Sequence, residues 1–290
     1  MILEVIPDSL YILPNIKTLM SNNRSSILRK VLNESLLDKE MYLSTVAILI
    51  VIKGKQVISN YDGQKMTIEE GQMVYLSKDI YLVSDFVTTN GIFEAFIFFM
   101  DDSFLEKYLL FSIGDATPVR ENTTKENLTT LQADVQIKQY INALMQVYKN
   151  TDKTFTLVEI KLMELLQLIK SRDGGDIFLS SVLSLKPAKE RRNIKDFMQK
   201  NYLKNLKVED YALLTGRSLS SFIRDFKRFY NTTPNQWLIQ QRLLKAHDLL
   251  TNTHLNVTET ALEVGYENIS HFIRAYKKQF GHTPKISKKL

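Results

Sequence analysis

Two stretches of the 290-residue chain set cations at helical spacing against a row of rings. Residues 221–234 read SFIRDFKRFYNTTP, and residues 271–284 read HFIRAYKKQFGHTP. In the first, Phe222, Phe226 and Phe229 fall at i, i+4 and i+7, one face of a helix. Arg224 and Lys227 fall elsewhere on the wheel, beside Ser220 and Ile223. In the second, Phe272, Tyr276 and Phe280 are expected inward, with Arg274 and Lys277 outward, flanked by Ser270 and Ile273. Guanidinium and ammonium groups on the free side of a ring-backed helix suit contact with a polyanion. An Arg so placed can also bond a guanine edge at two points.

Elements of matching design position these residues. Both helices are predicted to stop alike: Asn231 and Gly281, residues that readily adopt the left-handed conformation, are followed by Thr-Thr-Pro and His-Thr-Pro. Upstream, VEDYALLTG (208–216) matches VTETALEVG (257–265), pairing Ala212 and Gly216 with Ala261 and Gly265. A short helix with a small residue, a Gly turn and a ring-backed helix form the helix-turn-helix plan. The upstream offset is 49 and the downstream offset 50, so the second turn is one residue longer. Asn256 and Glu259 have capping-box spacing.

Between the copies, PNQWLIQQRLLKAHDLLTNT (234–253) predicts one continuous helix, with Pro234 at its start and Trp237, Ile239, Leu243, Ala246 and Leu250 on its apolar side. His247 on this spacer reads as a packed or partly exposed side chain and not as a ligand. Lys189, Arg191 and Arg192, ahead of another amphipathic segment with Ile194, Phe197, Met198 and Tyr202, read as phosphate contacts or solvated cations. A stiff spacer would let two helices enter successive major grooves, about 34 Å apart. The competing reading is a tandem helical packing module.

Charge divides the chain the same way. Lys186–Leu290 carries 20 Lys+Arg against 9 Asp+Glu, a balance of +11, while residues 1–185 balance at −5. With no cysteine, disulfides, thiol nucleophiles and zinc–thiolate sites are excluded. The longest uncharged apolar run, YLSTVAILIVI (42–52), is too short to span a membrane as a helix and reads as a buried strand. Glu4 and Asp8 interrupt the N-terminal apolar residues, which argues against a signal peptide and for a cytoplasmic protein without a membrane partner.

The first half alternates like strands at 26–32, 42–52, 55–60, 64–69, 71–77, 79–87 and 91–100, with Asp-Gly in NYDGQK (60–65) marking a hairpin. Short strands at this spacing predict a small barrel or jelly roll. All four His (247, 254, 271, 282) lie in the other half, so a His-built metal centre in the barrel is excluded and no cofactor is implied. A small-molecule pocket lined by rings and aliphatics, or a fully packed interior, both remain open. No paired carboxylates, His base or nucleophile motif lies on these strands, so an enzyme is the remotest reading.

From residue 101 the period becomes helical: DDSFLEKYLLF with Asp101 or Asp102 as cap, then 127–150, then 156–170 with a Thr156–Glu159 capping box. Helix 156–170 is apolar on two faces and needs two partners, its own domain and either a second copy of the chain or more of itself. RDGGD (172–176) breaks the pattern. The expected organisation is 1–176 (strands about 25–100, helices about 101–171), a 177–187 linker, and an all-α domain over 188–290.

The segment from about Lys186 to Lys285 resembles the DNA-binding domain of AraC/XylS-type bacterial transcription regulators. The motifs that carry the likeness are ALLTG…SSFIRDFKRFYNTTP, W…R…AHDLL (237–250) and ALEVGYENISHFIRAYKKQFGHTP. The resemblance implies seven helices forming two helix-turn-helix units joined by a long helix. It implies that Ser220, Ser221, Ile223 and Arg224 face one groove and Ser270, His271 and Arg274 the next; Lys227, Lys277 and Lys278 complete the candidate DNA contacts. It also implies a preceding cupin-like barrel with dimerisation helices, so the fold class expected is α+β. The expected function is sequence-specific DNA binding as an activator, with RNA polymerase as a partner, a small-molecule effector on the barrel and a homodimer through helix 156–170. The alternative keeps DNA binding but has the first half dock a protein. A cysteine-based alkyl-repair branch of the family is closed to a chain without cysteine.

Overall fold

The computed structural model describes residues 3–22, 24–112, 130–148, 157–183 and 191–287. They fall into two compact units, one running from Glu4 through the first four helices and the other covering the helical C-terminal part.

The first unit holds eleven strands among the described residues: β1 (Glu4–Ile6), β2 (Ile16–Ser21), β3 (Ser26–Leu32), β4 (Leu36–Leu43), β5 (Val46–Lys53), β6 (Lys55–Asn60), β7 (Lys65–Ile68), β8 (Gln72–Leu76), β9 (Ile80–Phe86), β10 (Phe93–Met100) and β11 (Thr130–Gln132). They form two sheets, β1-β4-β9-β6-β7 and β11-β8-β5-β10-β3-β2. Every pairing is antiparallel except β1 with β4. This is the expected double-sheet barrel, and the β6–β7 hairpin turns where NYDGQK predicts, with Gly63 at φ +83°.

Strand β10 shows why its sequence is apolar without alternation. Phe93, Ala95, Ile97 and Phe99 point between the sheets, whereas Phe96, Phe98 and Met100 pack beneath the helices. Those helices are α1 (Asp102–Ser112), α2 (Val135–Tyr148), α3 (Leu157–Lys170) and α4 (Gly175–Leu183). The Asp101 carboxylate caps α1, accepting from the Ser103 N–H and hydroxyl and from Ser25. Those hydrogen bonds hold its pKa below the usual carboxylate value, against the opposing effect of burial.

Several elements differ from expectation. The run 42–52 is two strands, because the chain turns at Ser44 and Thr45, whose hydroxyls donate to Ile6 O and Met100 O. Strands begin at Glu4, well before residue 25. Leu131 lies in β11, paired to β8, and α2 starts only after Asp134, which accepts from the Ile137 N–H at 2.9 Å. The expected linker 177–187 is helical through Leu183, with Phe178 and Leu179 in the core under the second sheet. Thr156 lies outside the described residues, and Glu159 instead pairs with Lys107 and accepts from Asn22.

The barrel interior holds polar groups beside the rings and aliphatics expected there. Lys30, Gln56 and Asp85 are buried with the Leu28, Ile58 and Val83 faces of their strands.

The second unit contains seven helices among the described residues: α5 (Ile194–Asn201), α6 (Val208–Leu214), α7 (Leu219–Tyr230), α8 (Pro234–Asn252), α9 (Val257–Glu263), α10 (Ile269–Phe280) and α11 (Pro284–Ser287). Helices α6–α7 and α9–α10 are two helix-turn-helix units, and the unbroken 19-residue α8 joins them. The linking turns are residues 215–218 and 264–268, so the second is one residue longer, as the offsets require.

Candidate nucleic-acid interface

Each recognition helix is built from its caps inward. Ser218 Oγ accepts from the Ser221 N–H at the start of α7, and Asn268 Oδ1 accepts from the His271 N–H at the start of α10. At the other ends, Asn231 (φ +53°) and Gly281 (φ +78°) take the left-handed conformation and donate their N–H groups to Lys227 O and Lys277 O. Asn256 and Glu259 cap α9 reciprocally, as their spacing predicts. In the first helix-turn-helix Asp210 accepts from the Lys207 N–H at 2.9 Å, a half-box without a capping side chain.

The rings behind the two helices are matched but not at the expected positions in the first copy. Phe222 and Phe226 are fully buried, yet Phe229 is 47 % exposed. The third inward ring is Tyr230, whose centroid lies 4.6 Å from that of Phe226 and 4.9 Å from that of Trp237. Position i+8 therefore replaces i+7, matching the i, i+4, i+8 set of Phe272, Tyr276 and Phe280 in the second copy. Phe229 lies instead under the Lys195 ammonium at 5.4 Å. On α8, Ile239 is 42 % exposed and Leu238 takes the buried place expected of it.

His247 is packed, as read. Its Nδ1 lies 2.6 Å from Tyr276 Oη and its ring stacks on Phe280.

The candidate contacts reach solvent. Ser220, Ile223, Arg224 and Lys227 are exposed on α7, and Ser221 is half-buried against its cap. On α10, Ser270, His271, Arg274, Lys277 and Lys278 are exposed. The Arg224 side chain is 77 % accessible, and its nearest carboxylate oxygen, on Asp225, is 3.9 Å away and engaged by Arg217 at 3.2 Å through its partner oxygen.

Sequence reading missed Arg228, exposed in the last turn of α7. The offset of 50 makes it the counterpart of Lys278, so the signal was present. It also misread Arg192, which donates to Leu214 O at 2.7 Å and sits over the Phe197 ring, so it braces α6. Arg191 is exposed, and Lys189 lies outside the described residues.

Two cation-bearing helices on a common brace define a double helix-turn-helix protein. Residues 211–289 match the helix-turn-helix domain family model, and residues 46–181 match the ExsA N-terminal regulatory domain. Thermoregulatory protein LcrF of Yersinia pestis is 29 % identical over 241 residues, 81 % of this chain and 86 % of that protein. The virulence regulon transcriptional activator VirF of Yersinia enterocolitica is 29 % identical over 236 residues, covering 81 % and 86 %. The HTH-type transcriptional regulator ExsA of Pseudomonas aeruginosa is 32 % identical over 129 residues, 44 % of this chain and 46 % of that one. The C-terminal helices thus carry the helix-turn-helix domain typical of AraC/XylS-type transcription regulators, and the chain is a DNA-binding regulator similar to these activators over most of its length. Among the described residues no helix is long and apolar enough to cross a membrane.

Proposed function

We propose that the protein is a transcription activator whose α7 and α10 enter two successive major grooves of one DNA site. The observation that carries this reading is the pair of exposed rows Arg224, Lys227, Arg228 and Arg274, Lys277, Lys278, each on the free side of a helix whose other side is buried rings. Lys and Arg neutralise phosphates, so affinity falls steeply with salt. Arg224 and Arg274 read base edges, helped by Ser220, Ser221, Ile223, Ser270 and His271. Activation follows the activator VirF among its relatives, and RNA polymerase as partner follows from the family resemblance. Selection of bound duplexes from a random pool tests the reading: two conserved blocks about one helical turn apart support it, and a single block or no enrichment overturns it.

In the same reading the first unit binds a small effector and pairs two copies through α3, whose Ile160 is 57 % exposed while Val158, Leu162, Leu165, Leu166 and Ile169 are buried. Sedimentation of wild type against Ile160→Asp tests the pairing. A second reading, protein docking in place of an effector, is favoured by one observation. Lys30, the only buried Lys or Arg among the described residues, is already neutralised by Asp85 inside the barrel. Stabilisation by a metabolite in a thermal-shift screen supports the effector; stabilisation only by a protein supports docking.

A further inference from the structure

Arg242 lies near the middle of α8, on neither recognition helix, and its guanidinium is spent on backbone carbonyls of the loop that enters the first helix-turn-helix and of the turn inside the second. Nε donates to Tyr202 O at 2.7 Å and Nη2 to Lys204 O at 2.7 Å, in the loop between α5 and α6. Nη1 donates to Gly265 O at 3.4 Å, in the turn between α9 and α10. The two segments also meet directly. Leu203 packs into the second unit's core, and Asn205 donates its amide to Glu267 Oε1. A Cβ on Gly265 would stand 2.7 Å from Leu203 O and 3.4 Å from Arg242 Cζ. That loop is itself tied to the first helix-turn-helix, since Tyr211 Oη on α6 donates to Asn201 O at 2.9 Å and lies 3.2 Å from Lys204 O, and Tyr202 packs edge-on against Trp237.

We infer that Arg242 is a positioning residue that fixes the separation and angle of the two groove-reading helices and so sets the base-pair spacing the protein accepts. Helix α8 alone joins the two units along one line and leaves rotation about that line to side-chain packing. A planar guanidinium with several donors in fixed directions, bonded at once to the loop entering the first helix-turn-helix and to the turn of the second, adds a second line of attachment off that axis. The consequence for binding is one of effective concentration. Two linked modules gain about 10²–10⁴ in affinity when both can engage together, and lose that gain when geometry forbids it. One inserted base pair moves the second groove by about 3.4 Å and about 35°. A braced pair of helices fails to follow that shift, whereas an unbraced pair follows it in part.

The inference rests on the two-groove reading, and the test separates the two. The full-length protein is titrated with the duplex selected from the random pool, with the same duplex carrying one base pair added or removed between the blocks, and with a duplex holding one block alone. Wild type is expected to lose about 10²-fold on the altered spacings. Arg242→Met is expected to bind the native spacing more weakly and to shrink that ratio to below about tenfold, with the single-block affinity and the base preference within each block unchanged. Arg242→Lys, which keeps the charge and loses the fork, is expected to behave like Arg242→Met. A wild-type ratio in Arg242→Met, or an equal loss on all duplexes including the single block, overturns the inference while leaving the two-groove reading intact. If Arg242→Met does not fold by circular dichroism, Asn205→Ala, an exposed position on the same junction, carries the test. A narrowed spacing ratio in it supports the inference, and an unchanged one overturns it. Failure of the wild type to select two blocks overturns the underlying reading instead.

Discussion

Lys30 and Asp85 face each other inside the barrel, one from each sheet, with the ammonium nitrogen 2.5 Å from a carboxylate oxygen. The second carboxylate oxygen accepts from the Gln56 amide at 2.5 Å, and Gln56 Oε1 is buried with no hydrogen-bond partner among the described residues. The Phe93 ring covers the ammonium at 5.8 Å. Desolvating two charges is costly, and their attraction roughly offsets that cost only while both are present. Asp85→Ala is therefore expected to destabilise the first unit by about 3–5 kcal/mol by stranding a buried cation. The pair Lys30→Met with Asp85→Leu is expected to restore most of that loss. Urea unfolding followed by tryptophan-independent circular dichroism measures both, since Trp237 lies in the other unit.

Arg274→Ala and Arg224→Ala are expected to leave the melting temperature near wild type, because both side chains are exposed. Each is expected to relax base preference within its own block, by about 1–3 kcal/mol at the contacted pair. Competition between matched and single-base-changed duplexes reads this. An equal loss on every sequence would place the residue among the phosphate contacts.

The corrected ring assignment has its own consequence. Phe272→Ala or Phe222→Ala empties a fully buried site and is expected to cost about 3–5 kcal/mol. Phe229→Ala removes a half-exposed ring and is expected to cost about 1 kcal/mol or less. Chemical denaturation of the three variants ranks them; a large loss at Phe229 would restore the i+7 position to the core.

Gly265 and Gly281 both have positive φ, at +82° and +78°, but only the first is crowded. Around Gly281 an added Cβ meets nothing within 4 Å. Gly281→Ala should therefore show only the left-handed backbone penalty, about 1–2 kcal/mol. Gly265→Ala must in addition displace the Leu203 carbonyl, so its loss of thermal stability is expected to exceed that of Gly281→Ala.

The helical part was legible because the chain states its plan twice. Cap, turn and ring positions that are ambiguous in one copy are fixed by the other, and the unequal offsets located the longer turn. Where legibility failed, two residues competed for one face. Phe229 at i+7 and Tyr230 at i+8 both lie within reach of the same stripe, and the contact with Trp237 of α8, which the periodicity of α7 cannot show, selects Tyr230. The same holds for Leu238 over Ile239.

In the barrel, β5 is apolar from Val46 to Ile52 because both its faces are covered, and Ser44 and Thr45 ahead of it were too brief a polar interruption, with no Gly, Pro or charge, to mark the turn. Strands as short as β1 and β11 carry too few residues to show alternation. The Lys30–Asp85–Gln56 cluster joins residues 55 and 29 positions apart, a distance at which spacing conveys nothing.

Trp237 has a wider consequence. It belongs to the joining helix, yet its ring completes the interior of the first helix-turn-helix, against Phe226 and Tyr230, while Leu243, Ala246 and Leu250 of the same helix complete that of the second. A break ahead of Trp237 strips the cover from the rings of the first phrase, and a break beyond Leu250 strips it from those of the second. The phrase is written twice, but one shared rod seals both copies.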